Sequence, residues 1–96
     1  MKEIKIAKLT GTFAENKDVA RDLRLKKIIP AIEKKEGIIL NFVGIEGATQ
    51  SFIHALISDI IRKYGIEVLD TISFKDCNET VRKIIGIVVD YMQESS

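Results

Sequence analysis

The chain has 96 residues, 46% hydrophobic and 30% charged, with a formal net charge of +1, one histidine and one cysteine. A chain of this length forms one domain, read here as 1–96, and buries roughly 60–68% of its unfolded surface, enough for a core without staples. The balanced charge argues against nucleic-acid binding, and no apolar run nears the ~20 residues that span a bilayer. The lone cysteine and histidine offer no disulfide, metal or cofactor site, and Met1-Lys2-Glu3-Ile4 has no signal core, so a cytoplasmic location is expected.

Ile4 to Leu9 reads as a short strand, with Ile4 and Ile6 on one face and Ala7 and Leu9 on the other. Thr10-Gly11-Thr12 is a turn. A helical region follows, with Asn16 as the better N-cap. Its apolar residues fall in two phases, Val19, Ala20 and Leu23 against Leu25, Ile28, Ile29 and Ile32. One straight helix cannot bury both on one surface. Pro30 removes a hydrogen bond and clashes with the Lys26 carbonyl, so a bend or break is expected near Leu25 to Lys27, with a second piece to about Lys35. Arg21, Arg24, Lys26 and Lys27 read first as a solvated face, partly matched by Asp18 and Asp22, with an acidic partner or a phosphate backbone as the alternative.

Glu36-Gly37 ends this region. Ile38 to Val43 is nearly continuously apolar, the pattern of a central strand covered on both faces. The stretch from Gly44 to Ser51 is a glycine loop leading into a helix from about Thr49 to Tyr64. Phe52, Ile53, Leu56, Ile57, Ile60, Ile61 and Tyr64 form its core stripe, and Gln50, His54 and Ser58 its polar side. Gly65 suits the C′ position. A third strand lies within Ile66 to Phe74, firmest at Thr71 to Phe74. Lys75-Asp76-Cys77 is a loop and Asn78 the next N-cap. Val81, Ile84, Ile85, Val88, Val89 and Met92 make a last helical stripe, with Gln93 to Ser96 frayed. The order β-α-β-α-β-α implies an α/β fold with a parallel or mixed sheet and about three helices. Function in such sheets sits beyond the carboxyl ends of the strands, which points to residues 44–51.

Gly44 and Gly47 bracket that loop, and Thr49 and Ser51 place hydroxyls at a helix start, where free N–H groups and the dipole favour an anion or a covalent phosphate. Thr49 also serves as a plain N-cap in this reading. No Walker lysine or GxGxxG accompanies the loop. His54 lies three residues from Ser51, but a dyad needs an orienting acid that cannot be named. Cys77 precedes a helix start, where thiol pKa values fall, although a packing role is the simpler reading. Asp59 and Asp70 are the acids that an enzyme would use. Ile87 and Tyr91 lie opposite the core stripe of the last helix, as an exposed pair or a homodimer contact.

The segment Ile38 to Ile45, followed by Thr49-Gln50-Ser51-Phe52-Ile53, and the later Ile72-Ser73-Phe74-Lys75-Asp76-Cys77-Asn78-Glu79 resemble the STAS-like domain family of unassigned function, over about Ala14 to Met92. That family is similar to anti-sigma factor antagonist domains, noncatalytic switches bound by an ATP-dependent serine kinase. In those domains the first serine of Asp-Ser-Ser-Gly at a helix start is phosphorylated. Here the tetrapeptide falls on Thr49-Gln50-Ser51-Phe52, so Gln50 takes the acceptor position without a hydroxyl, Ser51 matches the second serine and Phe52 replaces the glycine. The resemblance implies a noncatalytic regulatory module with a protein partner, a histidine-kinase-like ATPase among the candidates. Its contact surface is Gly44, Glu46, Gly47, Gln50 and His54, and Thr49 or Ser51 is the regulated position. The alternative is a small-ligand or anion-binding domain using the same helix start. An enzyme ranks last.

Overall fold

A computed structural model describes residues 2–94. Strand β1 (Lys2–Lys5), β3 (Ile38–Asn41) and β5 (Ile72–Lys75) form one parallel sheet in the order β1-β3-β5. β3 is therefore central, as its apolar run implies. Ile38, Leu40 and Ile72 face the core, with Ile4 and Phe74 partly buried on the same side. The other face is open. Glu3, Lys5, Ser73 and Lys75 are exposed there, Ile39 is half-buried, and among the strand residues of this face only the central Asn41 is buried. The expectation of cover on both faces is thus corrected. The Asn41 amide donates to Glu3 (2.7 Å) and Lys75 lies 3.7 Å from the same carboxylate, so polar contacts occupy the open side. These partners hold the Glu3 carboxyl below its ordinary pKa, the Asn41 bond first.

The first strand is shorter than its sequence pattern. Ile6 adopts helical dihedrals, and its carbonyl accepts from the Leu9 and Thr10 N–H groups. Helix α1 (Ala7–Thr10) is that single turn, so Leu9 leaves the strand pattern and stands exposed. Gly11 ends it at φ 76°.

Helix α2 (Lys17–Leu23) starts at Asn16, whose side chain accepts from the Asp18 and Val19 N–H groups. A π turn over 24–28 joins it to α3 (Ile29–Glu33). The two apolar phases are reconciled there without a break. The Ile29 N–H reaches back five residues to the Arg24 carbonyl, and Pro30 follows at a position that needs no donor. Leu23 and Ile28 are both buried as a result, while Leu25 is pushed into solvent.

Helix α4 (Gln50–Tyr64) is the centre of the helical layer and touches α2 on one side and α5 (Glu79–Glu94) on the other. Phe52, Ile53, Leu56, Ile57 and Ile60 are fully buried along it. Gly65 ends it at φ 87°. Residues 66–71 form a 3₁₀ turn rather than strand, and β5 begins one residue later than expected. Gln93 and Glu94 remain helical, whereas Ser95 and Ser96 lie outside the described residues.

Arg24 is not on a solvated face. Its side chain is 11% exposed, and Nη1 donates to the Ala55 carbonyl (2.5 Å) and lies 3.4 Å from the half-exposed Asp59 carboxylate. The charged hydrogen bond ties α2 to α4 and dominates over the screened ion pair. Replacing Arg24 by Ala should cost about 2–3 kcal/mol in urea unfolding, and Asp59→Ala less than about 1 kcal/mol. Arg24→Met should fall between them, because its stem keeps the packing.

Candidate functional site

The stretch after β3 is a clamped segment, not a free loop. The Asn41 side chain accepts from the Val43 N–H (2.8 Å) and turns the chain at the strand end. Gly44 follows at φ 82°, a left-handed conformation that suits glycine. A Cβ there would meet the Ala7 side chain only at 3.7 Å, so the dihedral and not lack of space selects glycine. Gly47 and Ala48 then form β4, paired in parallel with β2 (Phe13–Ala14) in a separate two-stranded sheet. Both strands escaped the sequence reading, because two-residue strands carry no periodicity. Gly47 is buried, and the reason for glycine is Phe13. A Cβ at Gly47 would lie 2.8 Å from the Phe13 ring.

Four contacts fix this backbone from outside. The Glu46 N–H donates to the Thr12 carbonyl (2.7 Å), and the Thr49 N–H to the Ala14 carbonyl (2.9 Å). The Asn78 amide donates to the carbonyls of Ile45 (3.2 Å) and Glu46 (2.9 Å). The same side chain accepts from the Val81 N–H (2.8 Å), which makes it the cap of α5 as well. Asn78 was legible as a cap. Its hold on a loop more than thirty positions away was not.

Thr49 is the N-cap of α4, and its hydroxyl accepts from the Phe52 N–H (3.1 Å). A phosphate on Thr49 would sit on the oxygen that makes this cap, and Thr49 is only partly exposed. Gln50 and Ser51 are exposed in the first turn. His54 does not meet Ser51 in a hydrogen bond. Its Nδ1 lies 3.3 Å from the Ser58 hydroxyl, and Ser58 is buried rather than on the polar side. Lys17 of α2 joins Gln50, Ser51, His54 and Ala55 around a shallow hollow of about 480 Å³. This brings a cation to the start of α4.

Ile87 and Tyr91 are exposed on α5 as expected. The Tyr91 ring lies 6.3 Å from that of His54, so the candidate dimer contact adjoins the candidate loop surface. Cys77 is partly buried, and burial pushes its thiol pKa up rather than down. Asp59 is engaged by Arg24 and Arg62, and Asp70 is exposed on the 3₁₀ turn. Among the described residues no three His, Cys, Asp or Glu side chains come together to hold a metal ion, and no helix is long and apolar enough to cross a membrane.

Besides Lys17, sequence reasoning missed two apolar residues of this surface. Phe13 is 48% exposed and lies over Gly47, and Val43 is 50% exposed at the end of the central strand. The sequence shows only a Phe after the Thr10-Gly11-Thr12 turn, which does not reveal its exposure. Val43 was hidden inside an apolar run that looked wholly buried.

Residues 19–82 match the family described as STAS-like domain of unknown function (DUF4325). No curated protein and no solved structure matches the chain.

Two substitutions separate the roles of Asn78. Asn78→Ala removes cap and clamp and should cost about 2 kcal/mol, lowering Tm by about 10 °C. Asn78→Asp keeps the cap acceptor but turns a carboxylate oxygen toward the two loop carbonyls, so it should destabilise through the clamp while sparing the cap. By amide exchange, Glu46 should exchange faster in both variants, and Val81 only in the alanine variant.

Proposed function

This chain belongs to the STAS-like domain family, and on that premise we propose that it is a noncatalytic regulatory module acting in the cytoplasm, whose protein partner docks on the surface from Val43 to His54 together with Phe13. One observation carries the reading. Two large apolar side chains, Phe13 and Val43, stand exposed along a backbone already held from several sides. Exposed apolar groups taken singly mean little. Set on pre-ordered backbone beyond the carboxyl ends of a parallel sheet, each offers contact area with little ordering entropy left to lose.

Ser51 is the position best placed for regulation. It is exposed, sits in the first turn of α4, and shares a hollow with Lys17. A phosphate there meets the helix N-terminus and a cation. Thr49 is less suited, since its hydroxyl already caps the helix. Gln50, where the anti-sigma factor antagonists carry the phosphorylated serine, has no hydroxyl and contributes contact only. Following that resemblance, the partner is a histidine-kinase-like ATPase.

Affinity capture from cells that make this protein tests both parts. The wild type should retain an ATPase that Phe13→Asp and Gln50→Arg each lose, with Tm of the variants within about 5 °C of wild type. Ser51 should carry phosphate by mass spectrometry in some growth condition. Equal capture by both variants removes this surface from the interface, and persistent absence of phosphate removes the switch.

The hollow beside Lys17 favours a second reading, a phosphate-bearing small ligand held at the start of α4. Binding at a hundredfold excess over Kd stabilises by about 2.7 kcal/mol. A thermal-shift screen with nucleotides and inorganic phosphate should then raise Tm by at least about 10 °C, and Lys17→Ala should abolish the rise. A flat screen eliminates this reading.

A further inference from the structure

We propose that the groove between α1 and α2 receives an acidic, amphipathic segment of a protein partner. Leu9 of α1 and Val19 and Leu23 of α2 line a hollow of about 300 Å³, and Asp22, Lys26 and Lys27 complete its lining. Leu9 is 51% exposed on that lining. An occupant has to supply an apolar side chain for that floor.

The charges decide what else it supplies. Lys26 lies 3.9 Å from Asp22, with both side chains well exposed, a geometry that adds little. Lys27 has no carboxylate partner among the described residues. Two lysines against one weakly engaged aspartate leave the groove cationic, so carboxylates beside the apolar anchor complement it. The floor is recessed between two helices, which suits an inserted side chain better than the flat surface of a bilayer.

The π turn is a second, independent observation. Such turns have poorer hydrogen-bond geometry than α-helix and recur at functional sites. This one turns Leu25 outward while Lys26 and Lys27 come to the groove. The groove is also separate from the Val43–His54 surface. Lys17, Arg21 and Arg24 of the same helical region line the hollow toward α4, whereas Val19, Leu23, Lys26 and Lys27 line this one. Occupancy of the groove therefore does not require a partner on the Val43–His54 surface.

A photo-crosslinking benzophenone residue placed at Leu9, half-exposed on the groove lining, reports directly on what enters it. Irradiation in cells that make this protein, followed by sequencing of the cross-linked peptides, should return a segment with a large apolar residue flanked by Asp or Glu. The double variant Lys26→Glu/Lys27→Glu should reduce the cross-link about tenfold. Lys26→Gln/Lys27→Gln should reduce it less, and Gln50→Arg should leave it unchanged. Co-sedimentation with phosphatidylserine vesicles should be negligible. A cross-link to a neutral or basic segment or to a second copy of this chain, one insensitive to both lysine variants, none at all, or charge-dependent vesicle binding would overturn the proposal.

Discussion

Helix α4 has to bury an unbroken apolar side against α2, α5 and the sheet at the same time, and this demand sets where the rest of the chain can lie. Five of its side chains are removed from solvent completely. Each contributes on the order of 1.5–3 kcal/mol, an upper estimate because the unfolded chain is itself partly collapsed. A helix so committed cannot slide or rotate without exposing a large residue. Its first turn is consequently fixed, and Thr49 joins it directly to β4 with no slack. The exposed Gln50 and Ser51 inherit their positions from side chains buried a turn or two further on.

The sheet beneath it is unusual in one respect. Parallel sheets are generally covered on both faces, and this one is covered on one. Three strands of four residues make the open face small. The Glu3, Asn41 and Lys75 side chains interact across it, so the solvent side has polar partners instead of a second layer. Asn41 links this network to the site, because its other end turns the chain at Val43. One side chain thus joins the edge strand β1 to the loop that follows β3.

What was legible in the residues follows physical range. Asn16, Thr49 and Asn78 were readable as caps, since a cap acts within three residues. The stripes of α4 and α5 were readable because burial repeats with the helical period. The two incompatible phases before Pro30 announced a distortion, though not that a π turn would absorb it. Apart from the local turns at 6–10 and 66–71, the missed features are non-local. β2 and β4 are strands only because they pair with each other. Arg24 is buried only because Ala55 offers it a carbonyl from another helix. Ile39 fits a doubly covered strand by itself, and its surroundings decide otherwise. For the candidate site, the segment was legible and its neighbours Phe13, Val43 and Lys17 were not.

The pairing of β2 with β4 also bears on where the functional unit begins. The family match starts at residue 19, within α2. Thr12, Phe13 and Ala14, which hold Glu46, Gly47 and Thr49 in place, all precede it, as does the edge strand β1. The boundary of the family match and the mechanical boundary of the site are therefore different. A fragment cut at residue 19 would retain every residue of the 44–51 segment and lose the strand that gives it shape.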